Sequence, residues 1–219
     1  MEKLVKLWVN YYPIFLQGLV GTLWLAAITV LAGTVLGMLI ALMRMSRLKT
    51  LNVISQVYTD VLRGTPILLQ LYFFWLALPK IVPFEMSDTS CIVVALIINS
   101  SSYISEIIRA GIAAVDKGQW EAARSLGLSE TNVMMKVIMP QAIKNILPAL
   151  GNQFVMMVKE TSLASVFFVG ELTTSYKSVQ SMTFLSIQPL IIVGVIYLVV
   201  TTVLSKLVGV FERRMRVSD

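Results

Sequence analysis

Residues 119–140 read QWEAARSLGLSETNVMMKVIMP, the longest polar interval in an otherwise apolar chain. The interval carries Glu121, Arg124, Glu130 and Lys136, opens just after Gly118 and closes at Pro140. Long apolar segments flank it on both sides. Charges at this density belong in water, so the interval is expected to be a loop with helical content, held against a membrane by its flanks. Within it residues 120–126 are good helix formers. Small Ala122 and Ala123 would admit a close partner, and Gly127 suits a left-handed helix stop. A plain helical hairpin, with alanine and glycine placed by chance, is the competing reading of these residues alone.

Composition sets the class. The 219 residues are 57% hydrophobic with a mean hydropathy of +0.80, and only 14% are charged, which excludes an ordinary soluble domain. Cys91 is the sole cysteine, so no internal disulfide forms. There is no histidine, which removes the commonest metal ligand and general base, and no metal site is expected. No GxxxxGK[ST] stretch is present to cradle a nucleotide. The net charge of +6 falls beside apolar segments, a membrane-orientation pattern rather than a nucleic-acid one.

A spanning helix needs about 20 apolar residues, and the pattern predicts an all-α integral membrane fold of five spans in a single domain. They cover approximately residues 14–43, 53–78, 89–108, 146–168 and 184–210, with a cytoplasmic loop at 111–145. Gly64, Thr65 and Pro66 predict a kink in the second span. Gly33 and Gly37 read as helix packing, and 171–183 as an outer re-entrant or surface segment. Arg44, Arg47 and Lys49, then Arg109, Lys117, Arg124, Lys136 and Lys144, then Lys206, Arg213, Arg214 and Arg216 fall on one side. Only Lys3, Lys6, Lys80 and Lys177 fall on the other. The bias predicts an outer N-terminus and a cytoplasmic C-terminus.

The spacing of the loop is specific: Glu121-Ala122-Ala123, three residues, Gly127, nine residues, Val137, one residue, Met139-Pro140. It resembles the EAA loop in the membrane (permease) subunits of bacterial ABC importers, with Val137 and Met139 replacing Ile and Leu. Arg63-Gly64-Thr65-Pro66, residues 103–111 (YISEIIRAG) and residues 159–165 (KETSLAS) are similar to the polar amino acid branch of that family. The resemblance implies a permease of the bacterial cytoplasmic (inner) membrane, working as a homodimer or as a heterodimer with a related chain. It implies two copies of a separate ATPase, which binds ATP and Mg, an extracytoplasmic amino acid-binding protein and an amino acid substrate. It implies no cofactor in this chain. Glu121, Ala122, Ala123, Arg124, Leu126 and Gly127 are then the ATPase-coupling residues.

Ionisable residues inside spans are costly and face a cavity or a partner. Asn99, Ser102, Tyr103 and Glu106 share one helical face, and Asn99 and Ser102 read equally as path lining or interhelical packing. Asp60, Arg63, Glu106 and Arg109 near the cytoplasmic end read as ion pairs or an inner gate. Lys159 and Glu160 are expected deep within the fourth span, on diverging faces, each needing its own partner. Asn99, Ser102, Tyr103, Lys159 and Glu160 thus form the candidate substrate path, and the extra carboxylates favour a basic amino acid. Two other functions compete. An ion-gradient-driven amino acid transporter would carry paired halves, and no internal repeat is visible. An intramembrane enzyme would need a nucleophile and base, which nothing assembles.

Overall fold

The computed structural model describes residues 2–216, and every regular element among them is helical. In chain order these are α1 (Glu2–Arg44), α2 (Lys49–Gly64), α3 (Ile67–Ile81), α4 (Asp88–Ala113), α5 (Lys117–Ser125) and α6 (Glu130–Asn132). A π-helical turn (Val133–Ile138), α7 (Met139–Glu160), a 3-10 segment (Thr161–Phe167), α8 (Leu172–Thr183) and α9 (Ile187–Arg216) follow. By length and composition α1, α4 and α9 are each able to cross a membrane, and the pair α2–α3 makes a fourth candidate.

Several boundaries differ from the sequence expectation. The first helix begins at Glu2 rather than 14 and carries Pro13 within it. At 43 residues it is about 64 Å long, roughly twice the hydrocarbon thickness. The second span is not one kinked helix but two helices at 110°. Pro66 has no N–H, so the carbonyl of Leu62 loses its helical partner. Thr65, preceding the proline, is extended at φ −117° and ψ 146°. The side-chain amide of Gln70 repairs the break, donating to Leu62 O at 2.7 Å and to Thr65 O at 3.1 Å.

The expected fourth span likewise ends early. Regular α-helix stops at Glu160, and 161–167 tighten into a 3-10 segment that ends at Phe168 in left-handed geometry (φ 55°). Thr161 donates its hydroxyl to Val158 O, and the Lys177 ammonium donates to Ser165 O at 2.9 Å. These bonds satisfy backbone carbonyls that a continuing α-helix would have used. Helix α9, where the fifth span was expected, starts at Ile187, three residues after Phe184, which caps α8 at φ 57°.

Helix α4 is the centre, packed on α1, α3 and α7 around Leu25, Leu71, Ile92, Leu96, Met157 and Val158. The α1–α4 contact needs small residues: a methyl at Gly37 would stand 2.9 Å from Ser101 O. Closer still, a methyl at Gly21 would lie 2.0 Å from the carbonyl of Gly170. Beside that contact Leu172 N donates to Thr22 Oγ1 at 3.1 Å and Ser175 Oγ donates to Ile14 O at 2.9 Å. The segment 171–183 is therefore a helix clamped on α1, through backbone groups as well as side chains.

Candidate coupling helix and substrate path

Helix α5 begins two residues ahead of the polar interval and runs into it, slightly displaced from the expected 120–126. Asp116 caps its start, accepting from Gly118 N at 2.6 Å. Its end follows from Gly127, which sits at φ 78°. Leu128 N donates to Ala123 O at 3.2 Å, and Gly127 N donates to Arg124 O at 2.9 Å. Those two bonds define a Schellman stop, which a left-handed residue after the cap makes possible.

The two alanines divide their roles. Ala123 is buried against Ile112, Val115, Val133, Ile138 and Ala142, anchoring the helix to its own subunit. Ala122 instead faces outward with Glu121 and Arg124. Leu126 is 82% exposed, a large apolar side chain held open at the helix end. Beyond α6 the interval closes through the π-helical turn. Pro140 cannot donate to Lys136 O, and Met139 N instead reaches back five residues to Met134 O.

The charged residues at the C-terminal end of α4 do meet. Arg109 Nη2 pairs with Glu106 Oε2 at 2.7 Å, and Arg63 Nη1 approaches the same oxygen at 3.8 Å. The Arg63 guanidinium lies 5.5 Å above the centre of the Tyr103 ring. Arg63 thus pairs across helices with Glu106 and not locally with Asp60, which stays exposed. Two helices, α2 and α4, are joined at this point.

Asn99 and Ser102 are fully enclosed. Asn99 donates to Gln70 Oε1 at 2.8 Å, and Ser102 donates to Asn99 O at 2.7 Å. Their visible contacts hold the α2–α3 break and the helix itself. Lys159 and Glu160 occupy the last turn of α7, not the middle of a continuous span as the sequence suggested. Lys159 is exposed in the single chain and Glu160 half-buried. Both line a cavity of about 350 Å³ with Met156, Ser162 and Leu163. That cavity takes no residue from α4.

Glu171 escaped the sequence reading altogether. It is completely buried and caps α8, accepting from Thr173 N at 2.7 Å, Thr174 N at 2.6 Å and the Tyr197 hydroxyl at 2.9 Å. Burial pushes its carboxyl above the usual carboxylate range, against the pull of these donors. An acidic residue just before Leu-Thr-Thr is the only signal the sequence offered, and its polar neighbours suggested solvent.

Among the described residues, three helices, or four elements with the bent pair, are long and apolar enough to cross a membrane. Residues 33–217 match the family described as binding-protein-dependent transport system inner membrane component, and the chain belongs to that family. Its role is transport across a membrane rather than catalysis. The chain is 37% identical over 207 residues to the arginine transport system permease protein ArtQ of Bacillus subtilis (strain 168), covering 94% of each. It is 36% identical over 211 residues to the glutamine transport system permease protein GlnP of Escherichia coli (strain K12), again covering 94% of each. Among solved structures, a crystal structure of an amino acid ABC transporter with histidines superposes with a TM-score of 0.90 at 47% identity. That match covers 94% of this chain and 96% of the other. The MetNI methionine ABC transporter in an inward-facing conformation shares the fold with a TM-score of 0.76 at 16% identity, covering 92% of this chain and 96% of that one.

Proposed function

We propose that the chain is the transmembrane subunit of an ATP-driven importer of polar amino acids, with a basic amino acid favoured. One observation carries the coupling part of this reading. Helix α5 is built to be docked upon, anchored from behind by Ala123, stopped at Gly127, and displaying Glu121, Ala122 and Leu126 outward. Its partner is a separate ATPase in two copies, which holds ATP and Mg.

The rest of the arrangement follows the family. Five spans, counting α2–α3 as one and α7 with its 3-10 extension as another, put the N-terminus outside and the C-terminus in the cytoplasm. One copy encloses little space, so two copies, identical or related, surround the path, and an extracytoplasmic binding protein delivers the substrate. An amino acid presents an ammonium and a carboxylate, and burying either unpaired costs several kcal/mol. Glu160 meets the cationic group, and Lys159 meets the carboxylate or fixes a neighbouring helix. Tyr103, partly exposed on α4, is left as the polar wall residue of that helix, Asn99 and Ser102 being enclosed in packing, while Asp60, Arg63, Glu106 and Arg109 form the inner gate.

The test is reconstitution in proteoliposomes with the ATPase and the binding protein, followed by uptake of labelled arginine, histidine and glutamine. ATP-dependent accumulation that requires all three components is expected. Uptake by this chain alone, driven by an ion gradient, would overturn the reading.

A further inference from the structure

The carboxylate of Glu130 is shared between two guanidinium groups. Oε1 accepts from Arg124 Nη2 at 2.9 Å, and Oε2 accepts from Arg47 Nη2 at 2.6 Å. Arg124 belongs to the outward face of α5. Arg47 lies 83 residues from Glu130 in sequence, in the turn between α1 and α2. That turn is tightly closed: Ser46 N donates to Met43 O at 3.2 Å, and Leu48 N donates to Ser46 Oγ at 3.1 Å. The Asn52 amide donates back to Arg44 O. A pull on Arg47 is thus passed to the start of α2 rather than absorbed in slack backbone.

The far end of α2 is also tied. Arg63 approaches Glu106 on α4, and beyond it lies the break at Thr65–Pro66 that Gln70 holds. Helix α2 is a strut running from the turn that holds Arg47 to the break. The three side chains of the shared contact are 88%, 62% and 58% exposed for Arg47, Glu130 and Arg124. Exposed ion pairs add little to stability, so the contact matters for where it sits. We infer that Glu130 is a positioning residue that links α5 to the start of α2, so that a displacement of α5 by the ATPase reaches the break at Thr65–Pro66. This rests on the reading of α5 as the coupling helix.

The complete transporter in proteoliposomes tests it, with ATP hydrolysed per amino acid imported as the readout. In Arg47→Gln and in Glu130→Gln that ratio rises roughly two- to fivefold, while the ATPase co-purifies at normal yield. The double variant is no worse than either single one, because both cut the same link. Arg47→Lys keeps the charge and retains most of the coupling. A normal ratio in either Gln variant, a double loss equal to the product of the two, or an ATPase that falls off only in Glu130→Gln overturns the inference. Gly127→Val, measured alongside, separates the two readings. If it too leaves the ATPase attached and uptake normal, α5 is not the docking helix and both readings fall. If it detaches the ATPase while both Gln variants couple normally, only the link falls.

Discussion

Asn99 and Gln70 are 29 residues apart, yet the amide of Asn99 donates to Gln70 Oε1 at 2.8 Å in a fully buried contact. Gln70 spends its own amide hydrogens on Leu62 O and on Thr65. One glutamine therefore closes the gap that Pro66 opens and presents its remaining acceptor to α4. Gln70→Leu keeps the bulk but leaves the Leu62 and Thr65 carbonyls without their donor, at about 1–3 kcal/mol for the buried Leu62 group. The purified subunit should unfold at distinctly lower temperature in detergent, and Asn99→Ala should have a smaller effect of the same sign. An unchanged unfolding temperature for Gln70→Leu would show that water or lipid headgroups satisfy the break.

At Gly127 the constraint is backbone geometry, since nothing stands within 4 Å of a methyl built there. A valine must adopt φ near 78°, costing about 1–2 kcal/mol or more. Gly127→Val should leave membrane insertion intact and reduce ATPase co-purification and uptake together. Gly127→Asn, which tolerates that geometry, should fall between valine and the native residue. Glu121→Lys reverses a charge on the exposed face and should weaken ATPase attachment without altering the helix.

Glu160→Gln preserves shape while removing the charge proposed to meet the substrate ammonium. Losing one charge-assisted hydrogen bond should lower uptake by about tenfold, with the assembled transporter still recovered whole. Lys159→Met probes the opposite sign. Normal transport with normal apparent affinity in both variants would assign the two charges to structure alone.

Glu171 should make stability depend on pH. Because burial raises its folded pKa above the unfolded value, its contribution is fully present below the ordinary carboxylate range. That contribution is lost as pH rises through the folded value. Glu171→Gln, which resembles the protonated form, should flatten this part of the unfolding-temperature profile. Glu171→Ala strips three donors of their acceptor and should cost at least about 2 kcal/mol. A wild-type profile flat across the acidic range would contradict the assignment.

Local signals were read well from the chain. Gly127 demanded a left-handed stop and has one, and Gly64-Thr65-Pro66 marked the interruption between α2 and α3. The size of the interruption, 110°, was not legible, because it depends on a glutamine one turn beyond and an asparagine in another helix. The end of α7 was misplaced for a similar reason. Residues 161–168 are apolar enough to continue a span, and only Lys177, twelve residues beyond Ser165, shows how their carbonyls are met otherwise. Ala122 and Ala123 looked equivalent until packing turned one inward. The Arg47–Glu130 contact and the burial of Glu171 are long-range facts with no periodic trace.

The meeting of Gly21 with the Gly170 carbonyl has a mechanical consequence. With no clearance between the two backbones, and with the Thr22–Leu172 hydrogen bond beside them, α1 and the entry to α8 travel only as one body. That end of the subunit is a stator. If the chain moves substrate as proposed, the displacement falls to the elbow at Thr65–Pro66 and to the helices that Glu130 and Arg63 tether.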